Sequence, residues 1–144
     1  MAGIVKAVCI SEALGTQKKD IKKAALIENW GVEGDAHAGE HHRQVSMLSL
    51  EKVEAFNRLG ADVSHGDFGE NLVVAGINPA ALPVGTRLKC GSAVLEITQI
   101  GKECHGRCQI YDKMGDCIMP REGTFARVVE GGEVCAGDAF EVQV

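Results

Sequence analysis

Eighteen glycines divide this 144-residue chain into short segments, where an average sequence gives glycine about 7% of its positions. A glycine inside a helix costs about 1 kcal/mol relative to alanine, so the spacing leaves little room for long helices. Between the glycines lie runs rich in isoleucine, valine and leucine, which fit a pleated, half-buried surface. Short strands joined by frequent turns predict a mostly β protein: a closed or nearly closed antiparallel β-barrel with one or a few short helices.

The segments can be placed in order. Gly3 to Ile10 reads as an opening strand, and Ser11 to Lys23, polar and lysine-rich, as a solvated loop bending at Gly15 and Thr16. Ala24 to Trp30 is a second apolar segment. Arg43 to Leu48 looks like a strand. Ser49 then supplies an N-cap for a helix in which Leu50, Val53 and Phe56 recur at helical spacing and Gly60 stops the run. Further strands are expected in LVVAGI from Leu72, in Ala93 to Thr98 with its period-two alternation, in Thr124 to Val129, and in Ala139 to Val144. Turns are expected at Pro83 to Gly85, Cys90 to Ser92, Gly131-Gly132 and Gly137-Asp138. The length suits one domain over residues 1–144.

A net charge of −5 gives no general attraction for nucleic acid or an anionic membrane. Small molecules or proteins are the expected partners. No run approaches the roughly 20 apolar residues of a membrane span, and Lys6 interrupts the N-terminal apolar patch, so a cytoplasmic location is expected. In a reducing compartment six cysteines read as buried hydrophobes, metal ligands or reactive sulfur rather than as a disulfide framework.

Three of those cysteines, Cys104, Cys108 and Cys117, fall between Gln99 and Gly123 together with Lys102, His105, Arg107, Lys113 and Arg121. Cationic neighbours stabilise a thiolate and lower the thiol pKa, and Cys104 has the densest set of them in sequence. A second polar run, GVEGDAHAGEHHRQVSML, holds His37, His41 and His42. The spacing of His37 and His41 would suit zinc on a helix, but Gly31, Gly34 and Gly39 argue against a helix there, leaving His41 and His42 as solvated loop residues.

An ordered series, Gly34-Asp35-x-His37-x-Gly39, Arg43-Gln44-Val45, Gly66-x-Phe68-Gly69-Glu70-Asn71-Leu72, Val84-Gly85, Gln99 ahead of Cys104, and Gly132 with Gly137-Asp138, resembles the MOSC domain, the C-terminal domain of molybdenum-cofactor sulfurases. The similarity runs from about Val5 to the C-terminus and is closest to a small stand-alone bacterial type. It implies a mostly antiparallel barrel, a pocket for the molybdenum cofactor (molybdopterin), and a cysteine, at the place of Cys104, that carries sulfur or binds the metal. A pyranopterin with its phosphate suits arginine's planar donor fork, which selects Arg43 and Arg121 with Arg107 behind them. Asn71 could bond the pterin edge, Glu70 could brace the loop, and His37 could contact the phosphate or make a structural hydrogen bond.

Three functions are compatible with these residues. The first is cofactor binding or sulfur delivery through a persulfide on Cys104, supplied by a cysteine desulfurase and passed towards a molybdoenzyme. The second is a cofactor-dependent reductase of N-hydroxylated compounds, which would need an external electron donor. The third is a structural or regulatory metal site built from Cys104, Cys108, Cys117 and His105. Pyridoxal phosphate is not expected, because the separate domain that binds it in full-length sulfurases does not fit within these residues.

Overall fold

The computed structural model describes residues 2–13, 18–101 and 118–143. Eleven strands are present among them: β1 (Ala2–Ile10), β2 (Lys19–Asp20), β3 (Lys23–Ile27), β4 (Gly31–Val32), β5 (Val45–Ser49), β6 (Leu72–Ala75), β7 (Arg87–Cys90), β8 (Ala93–Ile100), β9 (Thr124–Glu130), β10 (Gly132–Cys135) and β11 (Ala139–Val142). Helix α1 spans Leu50–Arg58, a 3-10 turn Pro79–Ala81, and a one-turn helix α2 Met119–Glu122.

Seven strands close into a barrel in the order β11-β7-β8-β9-β5-β6-β1, sealed by pairing of β1 with β11. The short β2 adds to β1, and β10-β3-β4 form a separate small sheet. The expected barrel is present but mixed rather than wholly antiparallel, because β5 and β6 run parallel, with Met47 opposite Leu72. The reason is local: α1 follows β5 directly and carries the chain back before β6 begins, as a parallel connection requires.

Alternation along each strand sorts side chains to two sides of the wall. Val45 and Met47 of β5, Leu72 and Val74 of β6, and Ala126 and Val128 of β9 share the main core with Leu88, Leu95, Ile97 and Phe140. Ala24, Leu26, Val32 and Val134 bring the small sheet into that same core. The intervening Leu48 and Phe125 turn the other way and meet Val53 and Phe56 of α1, Phe68 and Ile118. The outer wall is therefore partly roofed by α1 and the 61–70 loop. Ser49 caps α1 as expected, its hydroxyl accepting from the Lys52 amide.

Two expectations fail. Ser11 to Lys23 is not simply a solvated loop, since Lys18 is buried and Lys19–Asp20 pairs with β1. The glycine pair at 131 and 132 is not only a turn, because Gly132 opens β10, which pairs with β3. Among the described residues no helix is long and apolar enough to cross a membrane.

Candidate functional site

Hydrogen-bonded registers align several motif residues in one lateral row on the outer wall. Gln99 of β8 lies opposite Phe125 of β9, and Phe125 opposite Ser46 of β5. The Asn71 amide donates to the Ser46 carbonyl, the Cys9 amide donates to the Asn71 carbonyl, and Cys9 lies opposite Asp20. Residues far apart in sequence are thus brought side by side by strand pairing alone.

The 33–44 loop folds over this row and is held at both ends. At one end Lys18 Nζ donates to Asp35 Oδ1 at 2.6 Å and lies 2.9 Å from His37 Nδ1. The Ser11 amide also donates to Asp35 Oδ1, at 3.0 Å. At the other end Gln99 Oε1 accepts from Arg43 Nε at 3.1 Å and pairs with His42 Nε2 at 2.8 Å. Between them the Arg43 amide donates to His41 Nδ1, which leaves the His41 ring proton on Nε2 to donate to the His37 carbonyl. A continuous set of contacts therefore runs from Lys18 through His37, His41 and Arg43 to Gln99. The Arg43 guanidinium also lies over the Phe125 ring, 5.4 Å from its centroid, a cation–π arrangement.

Gly66 of the Gly66-x-Phe68-Gly69-Glu70-Asn71 motif has φ +92, and a Cβ there would overlap the Lys18 carbonyl. Only glycine lets the two chains approach so closely. The Lys18 amide donates to the Gly66 carbonyl, so this motif helps to seat the lysine.

Electrostatics separate the buried groups into two kinds. Burial would raise Asp35, but the hydrogen bonds and charge of Lys18 and the Ser11 amide outweigh it and hold the carboxyl below its usual range. Burial pushes Glu70 up to about 7, against the lowering effect of its own, Gly66 and Phe68 amides. Its Oε1 accepts from the Phe68 amide, the loop-bracing role expected of it. Cys9 is pushed up to about 12 by burial and by the Glu70 and Asp20 carboxylates, and Cys90 to about 12 by burial and Asp138. Neither thiol forms a thiolate near neutrality, so both serve as apolar core residues.

The proposed site residues divide accordingly. His37 and Arg43 belong to the set of contacts just described, and His42 and Gln99 join them. Asn71 is only 1% exposed; its Oδ1 accepts from the Ser46 amide and hydroxyl, and its Nδ2 donates to the Cys9 carbonyl. Its side-chain amide therefore joins β1 to β5, a structural role. Arg121 sits exposed on α2. Cys104, Cys108, Cys117, Arg107 and His105 lie outside the described residues, as does any metal site made from them. The flanking Gly101 amide donates to the Gly123 carbonyl, next to the Ile100 and Thr124 pair. Among the described residues no group of three or more His, Cys, Asp or Glu could hold a metal ion.

Lys18 is the residue the sequence did not single out. Its only signal was its place in a lysine-rich run, where a solvated side chain is the default expectation.

The MOSC domain family model matches residues 34–141. The chain belongs to that family. It is 25% identical over 138 residues to YflK, an uncharacterised protein of Bacillus subtilis, covering 89% of this chain and 62% of that protein, so it spans less than two thirds of its relative's length. The fold is similar to the crystal structure of YuaD from Bacillus subtilis, with TM-score 0.81, 20% identity, and coverage of 99% of this chain and 96% of that one. It is also similar to YiiM from Escherichia coli, with TM-score 0.67, 19% identity, and coverage of 100% of this chain and 70% of that one. Membership of this family associates the chain with the molybdenum cofactor.

Proposed function

We propose that this MOSC domain binds the molybdenum cofactor, or a closely related anionic pyranopterin, against the outer-wall rim formed by His37, His42, Arg43 and Gln99, and that Cys104 supplies the sulfur of the site. One observation carries the proposal. Arg43, an exposed cation held over Phe125, is hydrogen-bonded through Gln99 to the same strand that continues into the cysteine-bearing stretch. Cys104 follows Gly101 by three positions in sequence.

The donor set suits the ligand. A guanidinium offers five N–H donors and permanent charge to a phosphate, while imidazoles add ring N–H donors at its edge. When bound, the cofactor supplies a molybdenum centre held by sulfur, for which a soft thiolate is a matched partner. The chain's own part is to hold the phosphate and orient the ring. Gln99 contributes by fixing the Arg43 fork, because its amide nitrogen is anchored to the Gly101 carbonyl at 2.8 Å.

Sulfur delivery fits the same residues. The Cys104 thiolate would attack the outer sulfur of a desulfurase persulfide, forming a new S–S bond as the desulfurase thiolate leaves. No electrons are gained or lost overall.

Two measurements test the proposal. Purified protein mixed with cofactor released from a denatured molybdoenzyme is expected to retain molybdenum and pterin together, and Arg43→Ala to weaken retention roughly ten- to a hundredfold, the worth of one charge-assisted hydrogen bond. Exposure to a cysteine desulfurase and cysteine is expected to add one sulfur to the native protein and none to Cys104→Ser. Absence of both retention and sulfur addition would overturn it.

A further inference from the structure

We propose that Lys18 is a positioning residue that fixes His37 as the tautomer carrying its proton on Nε2, so that this histidine presents a neutral N–H donor to an anionic oxygen instead of a metal-binding lone pair or a base. The inference deepens the proposed function, since it names what His37 offers to the cofactor at that site.

The reasoning begins with what a lysine can do. Its ammonium has three donors and no acceptor. At 2.9 Å from Lys18 Nζ, His37 Nδ1 can only accept. A neutral imidazole has a single ring proton, so accepting at Nδ1 places that proton on Nε2. Asp35 makes the arrangement permanent. Its carboxylate lies 2.6 Å from the ammonium, and the two side chains are 1% and 0% exposed.

Geometry keeps the lysine pointed at the ring. Its amide is bonded to Gly66, and Asp35 is itself pinned by the Ser11 amide. The other carboxylate oxygen of Asp35 is 3.9 Å from His37 Nδ1, beyond hydrogen-bond range. Without the lysine that oxygen would favour a proton on Nδ1, the opposite tautomer. Lys18 therefore decides between two states that Asp35 alone would bias the other way. The His37 side chain keeps 43% of its surface exposed, whereas those of Lys18 and Asp35 are buried.

Nitrogen-15 NMR of the histidine rings in the cofactor-free protein reads this directly. In the native protein His37 is expected to show an unprotonated Nδ1 and a protonated Nε2. Lys18→Met is expected to move the ring proton to Nδ1, and Asp35→Asn, which retains the lysine, to keep the native pattern. Because removing one member of a buried pair can prevent folding, Lys18→Met combined with Asp35→Asn provides a second arm, expected to show a mixture of tautomers. A native spectrum with Nδ1 protonated, or the native pattern surviving in the folded variants lacking Lys18, would overturn the assignment. The spectra need no cofactor, so failure of cofactor retention would count against the proposed function alone.

Discussion

Asp35 and Glu70 are both buried beside the same row of strands, yet they tie folding to pH in opposite senses. Asp35, paired with Lys18, has its carboxyl held low, so the pair's contribution is present above the ordinary value of 3.8 and is lost as pH falls. Removing the lysine strands the carboxylate, and Lys18→Met is expected to cost about 3–5 kcal/mol in chemical denaturation. Glu70 behaves the other way. Between 4.5 and about 7 the unfolded chain has lost a proton that the folded chain keeps, so stability falls as pH rises through that window and then levels off. Over the full window the loss is roughly 3 kcal/mol. Glu70→Gln is expected to abolish this fall, which denaturation of both proteins at about pH 5 and about pH 8 would measure as a difference between their slopes. A native curve as flat as that of the variant would contradict the buried, uncharged carboxyl.

Among the elements, α1 was the most legible from the sequence, because its cap and its apolar spacing are local and independent of the rest of the chain. Ser49→Ala is expected to cost about 1 kcal/mol. Phe56→Ala removes a buried ring that packs 5.9 Å from that of Phe68 and is expected to cost about 3–5 kcal/mol; thermal melts of the two variants would check the ratio. Strands with clear alternation, such as β8, were equally legible. Two-residue strands such as β2 and β4 were not, since nothing in so short a segment distinguishes a strand from a turn. The parallel pairing of β5 with β6 was hidden because alternation reports which face is buried and says nothing of neighbour or direction. At the site, Arg43 and His37 could be named from their motif. Lys18 could not, because its burial depends on a carboxylate and a glycine that only tertiary structure brings to it. The structural bonds of Asn71 were hidden for the same reason, as its partners Ser46 and Cys9 come from other strands.

At the scale of the whole molecule, closure of the barrel depends on β1, which pairs with β11 on one side and β6 on the other. Gly3 stands at that double pairing, opposite Phe140, and a Cβ on it would overlap the Ala75 carbonyl. Gly3→Val is expected to loosen the seam, with faster amide hydrogen exchange in β1 and β11 than in β8 and β9, whose pairing lies across the barrel from it. Uniform acceleration throughout the barrel would instead mean that it opens only as one unit.

The bond between Gly101 and Gly123 has a consequence for how such a domain can diversify. Gly101 and Gly123, which flank the cysteine-bearing stretch of sequence, are held together beside β8 and β9, and lengthening a segment whose ends are fixed adds little entropic penalty, about 0.6 kcal/mol per doubling. The sequence between those two glycines can therefore be exchanged like a tool in a chuck, its cysteines altered or its length changed, while the Arg43 and Gln99 pairing stays as it was.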